Sequence, residues 1–84
     1  MAMSRQDLLE MFHKTAVEVV ERDLPGVGEA TTIASLNIDS LGMLEIIGSM
    51  ERQLKVRLPD EQLAGIETVK DLVDLVQQRQ GVAA

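Results

Sequence analysis

Within the run Leu36-Asn37-Ile38-Asp39-Ser40-Leu41, a serine stands where a long connection gives way to an apolar-periodic segment. A hydroxyl at the first residue of a helix projects where a partner enzyme can reach it. The free amides and positive partial charge of a helix N-terminus both favour a phosphate attached there. The same position also suits plain capping, because Ser and Asp are common at helix starts. On physics alone, both roles are open to Ser40.

Other chemistries find too few residues. A nucleophilic serine needs a base beside it and a third group to orient that base. His13 is the one histidine, it falls on the first helical segment, and no Gly-x-Ser-x-Gly elbow surrounds any serine. A hydrolase using Ser40 and His13 is therefore the weaker reading, and it predicts ester cleavage that His13→Ala would eliminate. No twelve-residue loop carries the alternating acids, central Gly and terminal Glu of a calcium site. With no cysteine and a single histidine, ordinary zinc ligation and a disulfide framework are both excluded. The glycines are scattered, so no phosphate-cradling loop forms. Glu67, Asp71 and Asp74 read as a solvated acidic helix face.

The elements that must hold Ser40 follow from spacing. Leu9, Phe12, Ala16, Val19 and Val20 recur at three and four, which predicts a helix from about Arg5 to Arg22, with Ser4 as its cap. Pro25 and Gly26 forbid its continuation. A second helix is expected from about Ser40 to Lys55, capped by Asp39, with Leu44, Ile47, Met50 and Leu54 as its buried stripe and Met43 and Ile46 widening it. Arg52 and Lys55 fall in its last turn, where cations complement the helix dipole. Pro59 to Ala64 reads as a short third helix. Thr68 caps a fourth, in which Val69, Leu72, Val73 and Val76 share one face, and a short tail containing Gly81 is expected over residues 80–84. Residues 23–39 make a long connection, and Ile33, Leu36 and Ile38 should pack it against the core. The fold class is all-α: one domain over residues 1–84, a small four-helix bundle of three longer helices and a short third.

Composition sets the partners. Eight basic and fourteen acidic side chains give a net charge of −6, which repels nucleic acid and anionic lipid and favours basic proteins. No run approaches the roughly 18 apolar residues of a membrane span, and the polar amino terminus is no signal peptide. A domain this small buries only about 60% of its unfolded surface, which leaves little room for an enclosed active site. A cytoplasmic, monomeric binding or carrier module is expected rather than an enzyme.

From Ile33 onward the chain resembles the acyl carrier protein family. The family's Asp-Ser-Leu motif appears as Asp39-Ser40-Leu41, with Leu36 upstream. Glu45-Ile46-Ile47 and Met50-Glu51 match the helix after the modified serine, Pro59-Asp60-Glu61 the short third helix, and Ile66 to Val73 the start of the last. The resemblance implies that a phosphopantetheinyl transferase moves 4′-phosphopantetheine from coenzyme A onto Ser40. The arm's thiol then holds acyl groups for an acyl-loading enzyme and a ketosynthase or other acyl-processing enzymes, the chain itself catalysing nothing. It also implies docking through acids on the helix after the serine, here Glu45 and Glu51, each of which reads equally as an ordinary exposed glutamate.

The chain also departs from the family's pattern. Gly42 stands where an acid is usual, Arg52 replaces another, and residues 40–58 hold two acids against three bases. A polyketide or other specialised acyl pathway therefore fits better than primary fatty acid synthesis. A peptidyl carrier fits less well, since Ile38-Asp39 stands where that class more often has glycines. Gly48 either reshapes a cargo cavity, admits a close partner, or is a tolerated defect. The reading from another class is an unmodified helical adaptor that binds a basic partner.

Overall fold

The computed structural model describes residues 3–82 and, at Val82, the backbone only. Four α-helices follow in order, α1 Arg5–Val20, α2 Ser40–Leu54, α3 Asp60–Leu63 and α4 Val69–Val82, with a single 3-10 turn at Ala34–Leu36 between the first two. No helix is long and apolar enough to cross a membrane among the described residues.

The helix ends obey local chemistry. Ser4 caps α1 by accepting from the Asp7 amide at 3.1 Å. The helix stops at Glu21, whose left-handed backbone (φ 56°) turns its amide back onto the Val17 carbonyl, slightly ahead of the predicted end at Arg22. At α4, Thr68 Oγ1 accepts from the Asp71 amide, while Asp71 Oδ2 accepts from the amides of Glu67 and Thr68. This reciprocal cap occupies two of the first-turn donors that a helix leaves open. It also holds the Asp71 carboxyl below its usual value, because both backbone donors favour the charged form. Asp71 is thus a capping residue rather than part of a solvated acidic face. α3 starts one residue later than predicted, with Pro59 outside as its cap position. α4 runs through Gly81 to Val82, past the expected start of the tail; Ala83 and Ala84 lie outside the described residues.

The core joins α1, α2 and α4. Leu8, Phe12, Ile46, Met50, Leu72 and Val73 are all but completely buried within it. The buried face of α1 is Leu8, Phe12, Thr15 and Ala16, whereas Leu9, Val19 and Val20 are only half-buried, so the stripe is rotated by about one position from the expected one. On α2 the correction is larger. Ile46, Ile47 and Met50 are buried, but Leu44, expected in the core, is 62% exposed, and Leu41 is 65% exposed. Apolar residues surround the first turns of α2, and the core meets only one side of them. The stripe on α4 falls where spacing put it, with Val69, Leu72, Val73 and Val76 inside.

The long connection is fastened as well as packed. Leu36 is buried, and Ile33 and Ile38 are half-buried against the core. Backbone bonds then tie the loop to the start of α4: the Ile33 amide donates to Glu67 O (2.8 Å), the Val69 amide to Thr31 O (2.9 Å) and the Lys70 amide to Glu29 O (2.8 Å). Two of these satisfy α4 donors that have no partner inside the helix. Arg22 donates to the carbonyls of Leu36 and Asn37, and Arg5 bridges Glu29 of the loop and Asp74 of α4. At this exposure each ion pair contributes little energy. Together they fix where residues 29–37 run.

Candidate functional site

Ser40 opens α2 at the end of that fastened loop. Its neighbour Asp39 has an extended backbone (φ −74°, ψ 174°), and its Oδ1 accepts from the Gly42 amide at 2.7 Å. The Asp39 carbonyl then takes the Met43 amide at 2.9 Å. Asp39 is therefore the cap, and Ser40 is free of that duty. Ser40 is exposed, and its hydroxyl has no protein partner among the described residues. The amides of Ser40 and Leu41 also remain unclaimed by the helix, so two donors and the positive end of the dipole flank the hydroxyl.

Gly42 owes its place to packing. A Cβ there would sit 2.8 Å from Ile38 Cγ2 and 3.1 Å from Asp39 Oδ1. Any larger residue must push Ile38 aside or disturb the cap. Sequence comparison with the family's usual acid did not reveal this, because it depends on where Ile38 turns into the helix.

Beside Ser40 lies a cavity of about 450 Å³ lined by Ile33, Ile38, Met43, Leu44, Ile47 and Leu63 among others. Its wall is aliphatic, and Asp60 is the one titratable residue in it. His13 is not part of this lining. Gly48 is not part of it either. A Cβ on Gly48 would meet only Arg52 Nη1, at 3.4 Å, so Gly48 does not shape this cavity.

The remaining expected residues divide. Leu41 and Glu45 stand exposed on the Ser40 end of α2. Glu51 is half-buried, and its Oε2 accepts from the Leu58 amide at 2.9 Å. Because Lys55 ends α2 in the left-handed region (φ 57°), the chain doubles back and brings Leu58 under Glu51. Glu51 thus pins the α2–α3 connection, a function that its sequence neighbours do not disclose.

The chain matches the family described as "Phosphopantetheine attachment site" over residues 12–76. It is 34% identical over 76 residues to an acyl carrier protein of Phenylobacterium zucineum (strain HLK1), covering 89% of this chain and 96% of that one. It is 31% identical over 84 residues to the anthracycline acyl carrier protein of Streptomyces peucetius, covering 98% of this chain and all of the other. In three dimensions it is similar to the crystal structure of an acyl carrier protein from Thermotoga maritima, with a TM-score of 0.87, 30% identity, and coverage of 98% and 96% of the two chains.

Proposed function

The chain belongs to the acyl carrier protein family, whose members carry covalent 4′-phosphopantetheine, and from that premise we propose that Ser40 is the hydroxyl that receives the arm. The observation that carries this reading is the division of labour at the start of α2: Asp39 caps the helix, so Ser40 stands exposed and unpartnered beside two free amides. Those amides and the helix dipole stabilise the phosphodiester anion once it is formed. As Ser40 Oγ bonds to the phosphorus, the pyrophosphate bond of coenzyme A breaks, adenosine 3′,5′-bisphosphate leaves, and the transferase takes up the Oγ proton. Bound there, the arm supplies a thiol that holds acyl groups as thioesters. Asp39 and Leu41 frame the serine for recognition, and Glu45 offers an exposed carboxylate for docking on the same end of α2. Glu51 can contribute only the charge left over from its bond to Leu58. The aliphatic cavity next to Ser40 gives a tethered chain apolar surface to lie against.

The pathway reading is a polyketide or other specialised acyl synthesis, served as a monomer by a transferase, an acyl-loading enzyme and a ketosynthase. It is supported by end-to-end similarity to the anthracycline carrier and by the excess of bases over acids in residues 40–58. The test of the site is intact mass after incubation with coenzyme A and a broad-specificity phosphopantetheinyl transferase. The native chain should gain one arm and Ser40→Ala none. A native chain that gains nothing would instead be an unmodified adaptor.

A further inference from the structure

Charge changes sign along the outer side of α2. Nearer the Ser40 end, Glu45 is exposed, and Glu18 and Glu21 of α1 share with it, with Leu44 and with Arg52 a groove in which acids outnumber bases three to one. Arg52 lies twelve residues beyond Ser40, about 18 Å further along the helix axis, and Lys55 and Arg57 follow it, all three exposed. The ion pairs found among the described residues join Arg5 and Lys70 to Glu29 and Asp74 and include none of these three cations. The nearest acid in sequence, Glu51, has an oxygen committed to the Leu58 amide. In a chain of net charge −6, this is a local reversal of the overall field.

The cations rim a groove between α2 and α3 whose apolar floor includes Ile47, Val56, Leu58 and Leu63; Glu51 and Asp60 also line it, so its lining holds three bases against two acids. Gly48 helps to form the rim. The Arg52 guanidinium folds back along α2, with Nη1 3.4 Å from where a Cβ on Gly48 would be. The groove shares Leu44, Ile47, Asp60 and Leu63 with the cavity beside Ser40, so the two adjoin along one side of the molecule.

We propose that this groove docks an acidic segment of a partner enzyme, with an apolar side chain on the Ile47–Leu63 floor and flanking carboxylates on Arg52, Lys55 and Arg57. The excess of bases over acids in the lining sets the sign of the partner, the floor supplies its anchor, and adjacency to the Ser40 cavity sets its direction. A partner so seated is basic around the entrance that meets Ser40 and acidic about 18 Å away. A uniformly basic partner is drawn to one end of α2 and repelled at the other. Exposed charges act mainly on encounter and orientation, so the groove selects among partners more than it tightens any one complex. The partner's identity as an acyl-processing enzyme rests on the carrier reading; the groove itself does not depend on modification of Ser40.

The test uses the unmodified, ¹⁵N-labelled chain titrated with the synthetic peptide Glu-Leu-Glu-Glu-Leu-Glu, and with its counterpart in which every glutamate is lysine. The acidic peptide should shift the amide signals of Gly48, Lys55, Val56 and Leu58. Its binding should weaken about tenfold in the double variant Arg52→Glu/Arg57→Glu, whose exposed sites leave the core untouched, and should weaken again as salt rises from about 20 to 200 mM. The proposal is overturned if the acidic peptide leaves those amides unmoved, if the double variant binds it as tightly, or if the lysine peptide occupies the groove equally well. Because arm transfer is measured by mass on a separate sample, failure here leaves the assignment of Ser40 standing.

Discussion

Replacing Asp39 by alanine separates two duties that lie one residue apart. The Asp39 carboxylate accepts the Gly42 amide at 2.7 Å and places a negative charge on the first turn of α2. Losing the acceptor costs about 1 kcal/mol, and losing the charge at the dipole's positive end costs roughly 0.5 kcal/mol more. The sum, about 1.5 kcal/mol, lowers the thermal midpoint of a domain this size by roughly 6–12 °C. Asp39→Asn keeps the acceptor and should recover most of that loss. Ser40→Ala, at an exposed hydroxyl without a partner, should stay within about 0.5 kcal/mol of the native chain. Circular dichroism melts give the stabilities, and intact mass after transferase treatment gives the rate of arm attachment. Attachment should slow in Asp39→Ala, because an uncapped first turn frays and Ser40 loses its fixed position. If Asp39→Ala melts with the native protein, Asp39 is not the cap and the reasoning fails. If Asp39→Asn keeps its stability but labels as slowly as Asp39→Ala, the transferase reads the carboxylate directly and positioning is not its role.

Gly48→Ala should raise stability by roughly 0.5–1 kcal/mol in a denaturant titration, since the new methyl meets only the movable tip of Arg52 and a helix-interior glycine is relieved. Glu51→Ala should lower it by about 1–2 kcal/mol by leaving the Leu58 amide without its acceptor, with Glu51→Gln recovering part of the loss. Acid should destabilise the fold: Glu29 and Asp74 are held below the usual carboxylate range chiefly by hydrogen bonds, Glu29's from Arg5 and Asp74's from Lys70 and then Arg5. Their contribution is present above the unfolded-state values near pH 4 and is lost as pH falls through the lower folded-state values. Stability measured from about pH 5 down to about pH 2 should therefore fall less steeply in Arg5→Gln than in the native chain.

Much of the geometry of the candidate site was legible because its determinants are local. Asp39 and Ser40 precede a periodic segment, and a capping acid beside a hydroxyl is a short-range pattern that spacing exposes. The face of α4 was equally legible, because its apolar residues fall on a single stripe between polar ones. The face of α2 was not. Leu41, Met43, Leu44, Ile46 and Ile47 surround the first turns, so periodicity could not choose which side the core would take and placed Leu44 inside, where it is 62% exposed. The ties from Glu29, Thr31 and Ile33 to residues 67–70 run through main-chain atoms and leave no mark on side-chain identity. Glu51 looked like a surface acid until the left-handed turn at Lys55 brought Leu58 back beneath it. Gly42 looked like a missing charge until Ile38 was seen to fill the space where its side chain would stand.

The moorings of the loop before Ser40 lie at Glu67, Val69 and Lys70, close to the start of α4, which is synthesised after α2. As the nascent chain leaves the ribosome, the serine emerges well before the residues that hold it in place. On the proposed reading of Ser40, the hydroxyl gains its fixed position only once residues 67–70 have been made and have folded back onto the loop.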